Sequence, residues 1–194
     1  MRNASKRDLI LQAAGEVFIA TGFEKSTVQE IADKAGVGKG TIYEYFQSKE
    51  EVFVQVAKSN VSYVHNDLLG MFNKVETFEE LLDGYIATSL SLIDKHIDKV
   101  EIIFNDLAKV SNELHEWFLE KQRQLMERLT ALLQQFIENK ELRDVQPEAV
   151  AWMVLHIIQL GFYYKIVYKQ DNIESVLEAQ KDIILNGCRG ISLP

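Results

Sequence analysis

The chain of 194 residues has one cysteine, two prolines and no repeated or Gly/Ser-rich segment. A lone Cys188 cannot form an internal disulfide, so no covalent staple holds the fold, and the residue reads as a small packing group on a terminal helix. The scarcity of proline, with charges spread rather than blocked, excludes a low-complexity or linker-like chain. An apolar content of 47% is enough to bury a real core in one or two domains. The opening residues, MRNASKRDLI, lack the apolar stretch of a signal peptide, and together with the unpaired cysteine this makes a reducing cytoplasm the expected compartment. Strand signals are missing as well, since no alternating β-branched runs lie between Asn-Gly or Pro-Gly turns.

An excess of positive charge is also lacking. With 21 Lys/Arg against 29 Asp/Glu the formal charge is −8, which excludes a protein that coats nucleic acid without selectivity. The charge is unevenly distributed. Residues 1–50 carry seven cations and seven anions, leaving 14 against 22 for the remainder. The N-terminal quarter is therefore the part suited to a polyanion, with Arg2, Lys6, Arg7, Lys39 and Lys49 able to gather on one side.

What the sequence does contain is a recurring helix start. Ser5 with Asp8, Thr27 with Glu30, Ser48 with Glu51, Thr77 with Glu80 and Asp98 with Glu101 each place a capping side chain three residues before an acid. That spacing lets cap and acid satisfy each other's otherwise orphaned N–H groups. Ile10, Ala13, Ala14, Val17 and Phe18 follow the first cap at helical spacing, and Gly22 is expected to end that helix. A short helix is predicted from Thr27 to about Ala35, with Val28, Ile31 and Ala32 inward and Gly36 supplying a sharp turn. Another short helix runs from Lys39 to Phe46, with Ile42 and Phe46 in the core. A longer one from Ser48 carries Phe53, Val56, Ala57, Val64 and Leu68, and reaches toward Phe72. Further helices are predicted near 78–94, 99–109 and 112–139, the last with Leu114, Leu129, Leu133 and Phe136 on its apolar stripe. Pro147 suits the first turn of a helix. The following AVAWMVLHIIQLGFYYKIVY is apolar almost all round. His156, Gln159 and Lys165 argue against a membrane span and for a helix buried on two sides, against its own core and against a partner. A final helix near 173–187 offers Ile173, Val176, Leu177, Ile183 and Ile184 as a second surface.

The stretch GVGKGT, residues 36–41, has the look of a triphosphate-binding loop but fails its requirements. Asp33 stands where that loop needs its first glycine, Gly40 follows Lys39 where it needs a hydroxyl, and IADKA before it is helical rather than a strand. Two short helices joined by a glycine turn form instead a helix-turn-helix, whose second helix enters the DNA major groove. Gly38 and Gly40 then keep the start of that helix bare, so its N–H groups and Lys39 approach phosphate. Thr41, Tyr43 and Tyr45 follow as hydrogen-bonding groups, and Lys49 closes the far side. Glu44 either faces away or accepts from a cytosine amino group.

Residues 26–52, STVQEIADKAGVGKGTIYEYFQSKEEV, together with AAGEVFIATGF before them, closely resemble the TetR family of bacterial transcriptional repressors. The resemblance covers about 50 residues; the rest of the chain shares only length and helical layout. It implies an all-α fold of about nine helices. Residues 1–50 would form a three-helix helix-turn-helix domain, and residues 51–194 a larger ligand-binding and dimerisation domain. The family's DNA contacts fall on Thr27, Lys39, Gly40, Thr41, Tyr43, Tyr45 and Lys49, with Tyr43 and Lys49 as phosphate anchors. The implied partners are double-stranded operator DNA and a second copy of the chain, held by the last two helices. A ligand cavity in each larger domain is expected to take a small hydrophobic or aromatic effector. Tyr85, Phe104, Trp117, Trp152, His156, Tyr163 and Tyr164 supply aromatic surface for it. No cofactor and no metal site is expected, because His65, His96 and His115 lack ligand spacing with each other or with Cys188. No catalytic constellation of nucleophile, base and orienting group can be assembled, so an enzyme is not expected. The alternative with the same fold is a DNA-bound adaptor whose larger domain binds a protein.

Overall fold

A computed structural model describes residues 5–93, 112–169 and 172–189. These residues form eight helices: α1 Lys6–Lys25, α2 Val28–Ala35, α3 Lys39–Tyr45, α4 Lys49–Phe72, α5 over 78–93, α6 Asn112–Glu138, α7 Pro147–Ile166 and α8 Ile173–Cys188. Among the described residues the one β contact is an isolated antiparallel bridge between Leu142 and Arg189. The helix predicted near 99–109, the Asp98–Glu101 cap and Phe104 lie outside the described residues.

The caps explain why the helices begin where they do. Ser5 and Thr27 each form a full capping box with Asp8 and Glu30. Ser48 Oγ accepts from Glu51 N at 3.2 Å, and Thr77 Oγ1 accepts from Glu80 N at 3.2 Å. Helix α1 does not stop at Gly22. Its backbone breaks there, at φ 77°, and a last turn continues to Lys25. Gly36 closes α2 in the left-handed conformation at φ 67°, where a side chain would be strained, and its N–H bonds back to Ala32 and Asp33.

The chain divides into two compact units, residues 1–63 with 98–118 and residues 64–97 with 119–194. The core of the first joins Ile10, Val17 and Phe18 of α1, Ile31 of α2, Ile42 and Phe46 of α3, and Phe53 and Val56 of α4. Phe18, Phe23 and Phe53 meet ring to ring, with centroids 4.9–5.9 Å apart, an arrangement worth about 0.5–1.5 kcal/mol per pair beyond burial. The first half of α4 is therefore packed as part of the helix-turn-helix unit.

In the second unit Phe72, Leu81, Leu132, Leu133, Phe136, Val154 and Ile157 are buried. Tyr85 stacks on Phe72 with centroids 6.3 Å apart, and its hydroxyl donates to Leu155 O at 3.2 Å. Helix α8 buries Ile173, Leu177, Ile184 and Cys188 within its own unit and leaves Ile183 outside. Its apolar stripe is thus largely internal, and of the second surface expected of this helix Ile183 is exposed and Val176 half-buried. No helix among the described residues is long and apolar enough to cross a membrane.

Candidate nucleic-acid interface

The outward face of α3 follows from which residues the core takes. Ile42 and Phe46 are buried, so residues about half a helical turn away must point outward. Lys39, Gly40, Tyr43, Glu44 and Tyr45 are all exposed, and Thr41 is half-buried. Tyr43 is 50% exposed and Tyr45 42%, large fractions for aromatic rings that a core could have used. Glu44 and Gly40, one turn apart, lie at the middle of this face, flanked by Tyr43 and Thr41. Glu44 is thus solvent-exposed on this face.

The glycines on this face are not required by the chain itself. A β-carbon added at Gly38 or Gly40 would meet no heavy atom within 4 Å, and neither residue has a positive φ. Glycine costs helix stability relative to alanine, by about 0.5–1 kcal/mol in a helix interior. Bare backbone here therefore fits a close neighbour from outside the chain.

The remaining predicted contacts, Thr27 and Lys49, make hydrogen bonds within the chain. Thr27 is exposed, but its hydroxyl donates to Glu30 Oε2 at 2.9 Å and accepts from Glu30 N at 3.2 Å, so it acts as the cap of α2. Lys49 is half-buried, and its ammonium donates to Phe23 O at 2.7 Å and Ser26 O at 2.8 Å. That engagement sits poorly with a free phosphate anchor. Arg7, expected on the polyanion side, lies 5.4 Å from the Phe46 ring centroid and donates to Gln55 Oε1 at 2.9 Å. Lys39 stands exposed at the first turn of α3.

Among the described residues, those expected around an effector stand in different surroundings. Tyr85 is buried, and burial pushes its phenol well above the ordinary tyrosine value. Trp117, half-buried, packs against Ala57 and Leu114 in the first unit, with Lys58 Nζ 5.9 Å from its ring centroid. Trp152, His156 and Tyr163 lie on the exposed side of α7, and His156 Nδ1 donates to Trp152 O at 2.6 Å. Tyr164 is half-buried and donates to Asn172 Oδ1 at 3.0 Å. With Met153, Leu160, Val167 and Tyr168, the exposed residues make an apolar surface along and just beyond α7. An open cleft of about 520 Å³ in the second unit is lined by Asn66, Asp67, Gly70, Met71, Lys74, Val75 and Glu80, none of them among the predicted residues.

One group escaped the sequence reading. His65 is only 4% exposed, and neither ring nitrogen has a partner in good hydrogen-bond geometry among the described residues, the nearby Asn66 amide exerting only a minor pull. Burial, and secondarily the charge of Lys121, hold its pKa below the ordinary histidine value. The signal was in the spacing. Val61, His65, Leu68 and Phe72 follow one another at three- and four-residue steps, so the histidine occupies a place on the apolar stripe of α4, where Val64 had been expected.

Comparison with known proteins gives this geometry a context. The model of bacterial regulatory proteins of the tetR family matches residues 10–56. The HTH-type transcriptional regulator YvdT of Bacillus subtilis is 28% identical over 116 residues, covering 60% of this chain and 59% of that protein. The HTH-type transcriptional repressor KstR2 of Mycolicibacterium smegmatis is 30% identical over 114 residues, 59% of this chain and 55% of that one. The chain thus spans less than two thirds of either relative. The transcriptional regulator FadR from Bacillus subtilis, solved in complex with stearoyl-CoA, superposes with a TM-score of 0.74 at 22% identity, covering 92% of this chain and 97% of that one. That likeness establishes the all-helical fold over nearly the whole length. Residues 10–56 thus match the helix-turn-helix of the tetR family of bacterial regulatory proteins, on a chain whose helical fold matches that of FadR over nearly its whole length.

Proposed function

We propose that this regulator is a repressor that binds a palindromic operator as a homodimer through α3 and releases it when a hydrophobic small molecule binds the larger domain. The observation that carries the DNA-binding half is the outward face of α3. Tyr43 and Tyr45 stand exposed beside glycines whose missing side chains answer no need within the chain. Lys39, Tyr43 and the bare backbone at Gly40 would contact phosphate and set register, while Thr41, Glu44 and Tyr45 would read base edges. Residues 1–50 would thus be the DNA-binding domain, and residues 51–194 would carry effector binding and dimerisation.

The apolar surface of Trp152, Leu160, Tyr163 and Tyr168 supports pairing of two chains. Pairing would set two α3 helices about 34 Å apart, one helical turn of DNA. One observation supports a hydrophobic effector: the fold-level relative was solved in complex with stearoyl-CoA. An effector that fits only one setting of α4 would shift the spacing of the reading helices. The adaptor reading uses the same α7 surface for a different protein, and a chain that stays monomeric at high concentration would favour it.

The test is an anisotropy titration of a duplex enriched from a random pool, repeated with long-chain acyl-CoA and a panel of apolar molecules. Tight, steeply salt-dependent binding that an apolar ligand weakens is expected. Binding that no ligand changes would remove the induction step, and the absence of duplex binding would remove the whole reading.

A further inference from the structure

Lys49 stands in the first turn of α4, the end of a helix where its dipole disfavours a cation. Its ammonium compensates elsewhere. Besides donating to Phe23 O and Ser26 O, it reaches Glu24 O at 3.4 Å and lies 4.5 Å from the Phe23 ring centroid. An ammonium has three protons, and here three backbone carbonyls face them. Those carbonyls belong to the last turn of α1 and the corner before α2, where a helix end leaves acceptors without intrahelical donors. The next residue, Thr27, caps α2. A side chain 23–26 residues away in sequence thus fastens the corner from which the helix-turn-helix starts.

We infer that Lys49 is a positioning residue, which locks the α1–α2 corner to the start of α4 and so sets how α2 and α3 are held, rather than a phosphate contact. The inference rests on the DNA-binding reading above. Helix α4 runs without interruption from Lys49 to Phe72, with residues up to 63 in the first unit and those from 64 in the second. A turn of α4 about its axis carries Lys49 with it and pulls directly on the corner. The lock needs a compact tetrahedral donor. A planar guanidinium binds phosphate at least as well as an ammonium but cannot converge on three carbonyls in this way.

The test compares wild type, Lys49→Arg, Lys49→Met and Lys39→Met on a duplex enriched by the wild-type protein and on a scrambled duplex. Titrations run over a salt series at a temperature where circular dichroism shows each protein folded. Lys39→Met should lower the slope of log affinity against log salt by about 0.9, the loss of one phosphate contact. Lys49→Arg and Lys49→Met should each lose roughly tenfold on the enriched duplex, with little change on the scrambled one and an unchanged slope, because misplaced helices lose base contacts first. Wild-type affinity in Lys49→Arg, with a reduced slope in Lys49→Met, would make Lys49 a phosphate anchor and overturn the inference. Unchanged binding by both folded variants, whatever their melting temperatures, would reduce Lys49 to a stability role and overturn it too. If Lys49→Met does not fold, Lys49→Arg decides alone: retained affinity overturns, lost selectivity supports. A wild-type protein that enriches no duplex would defeat the DNA-binding reading, and this inference with it, whereas the other outcomes bear on Lys49 only.

Discussion

On α3, Tyr43 and Tyr45 stand exposed among Lys39, Gly40, Thr41 and Glu44; along α7, Tyr163 and Tyr168 stand exposed with Trp152, Met153, Leu160 and Val167. The residue type is shared, and its neighbours give it different uses. Rings beside a cation, a carboxylate and bare backbone suit a hydrated, charged partner whose edges are read by hydrogen bonds. Rings beside methionine, leucine and valine form a surface suited to being covered by another apolar surface. The difference predicts that changes on α3 alter DNA binding and leave assembly alone, while changes on α7 do the reverse first and affect DNA only through the loss of pairing.

The largest effect belongs to α7. Replacing Leu160 and Tyr163 together with glutamate should convert the chain to a monomer by sedimentation. Operator affinity should fall on the order of 10²–10⁴-fold, because the second reading helix is no longer held near its half-site. Half-site preference should not change. A dimer that survives this pair of charges would move the interface elsewhere.

Next comes Glu44→Gln. If Glu44 accepts from a cytosine amino group, the variant should lose about 1–3 kcal/mol of discrimination at one base position, while binding scrambled DNA somewhat better for having lost a negative charge. Unchanged preference in a competition titration would remove Glu44 from base reading.

Gly40→Ala gives a smaller effect with opposed signs. Alanine should raise the melting temperature, by about 0.5–1 kcal/mol of stability, since its methyl group meets nothing in the chain. Operator affinity should nevertheless drop severalfold as that methyl group enters the space taken by the DNA backbone. Stability and binding rising together would mean that α3 does not approach DNA at this point.

The smallest effect lies outside both surfaces. Burial lowers the folded-state pKa of His65, so between that value and the ordinary histidine pKa of about 6.5 the unfolded chain binds more protons. Stability should therefore fall as pH drops below about 6.5. His65→Leu should flatten that part of the melting profile and raise stability at pH 5.5 relative to wild type. An equally steep profile in the variant would assign the pH dependence to other groups.

Much of this was legible in the sequence, for reasons that can be named. Capping residues act over three positions, so Ser5, Thr27, Ser48 and Thr77 announce their helices without help from the fold. The inward set of α1 to α3 follows from local periodicity, and the glycine turn at Gly36 from backbone sterics. The carbonyl partners of Lys49 lie more than twenty residues back, beyond the reach of local patterns, so from sequence a lysine near a helix-turn-helix reads as a phosphate contact. Trp152, His156 and Tyr163 were assigned to a cavity because a helix apolar on all sides carries no periodic signal of which face is covered; only the packing of Val150, Val154 and Ile157 inward shows that they point out. His65 lacks metal-ligand spacing, and its burial follows from its place on the α4 stripe.

The central claim is that α3 reads a two-fold symmetric duplex. Its most direct test is enrichment of random duplex DNA by the wild-type protein and by Glu44→Gln, followed by sequencing of both pools. The prediction is an inverted repeat with half-site centres about 10 base pairs apart, changed at one symmetric pair of positions in the variant pool. No enrichment, or a motif without two-fold symmetry that Glu44→Gln leaves untouched, would contradict it.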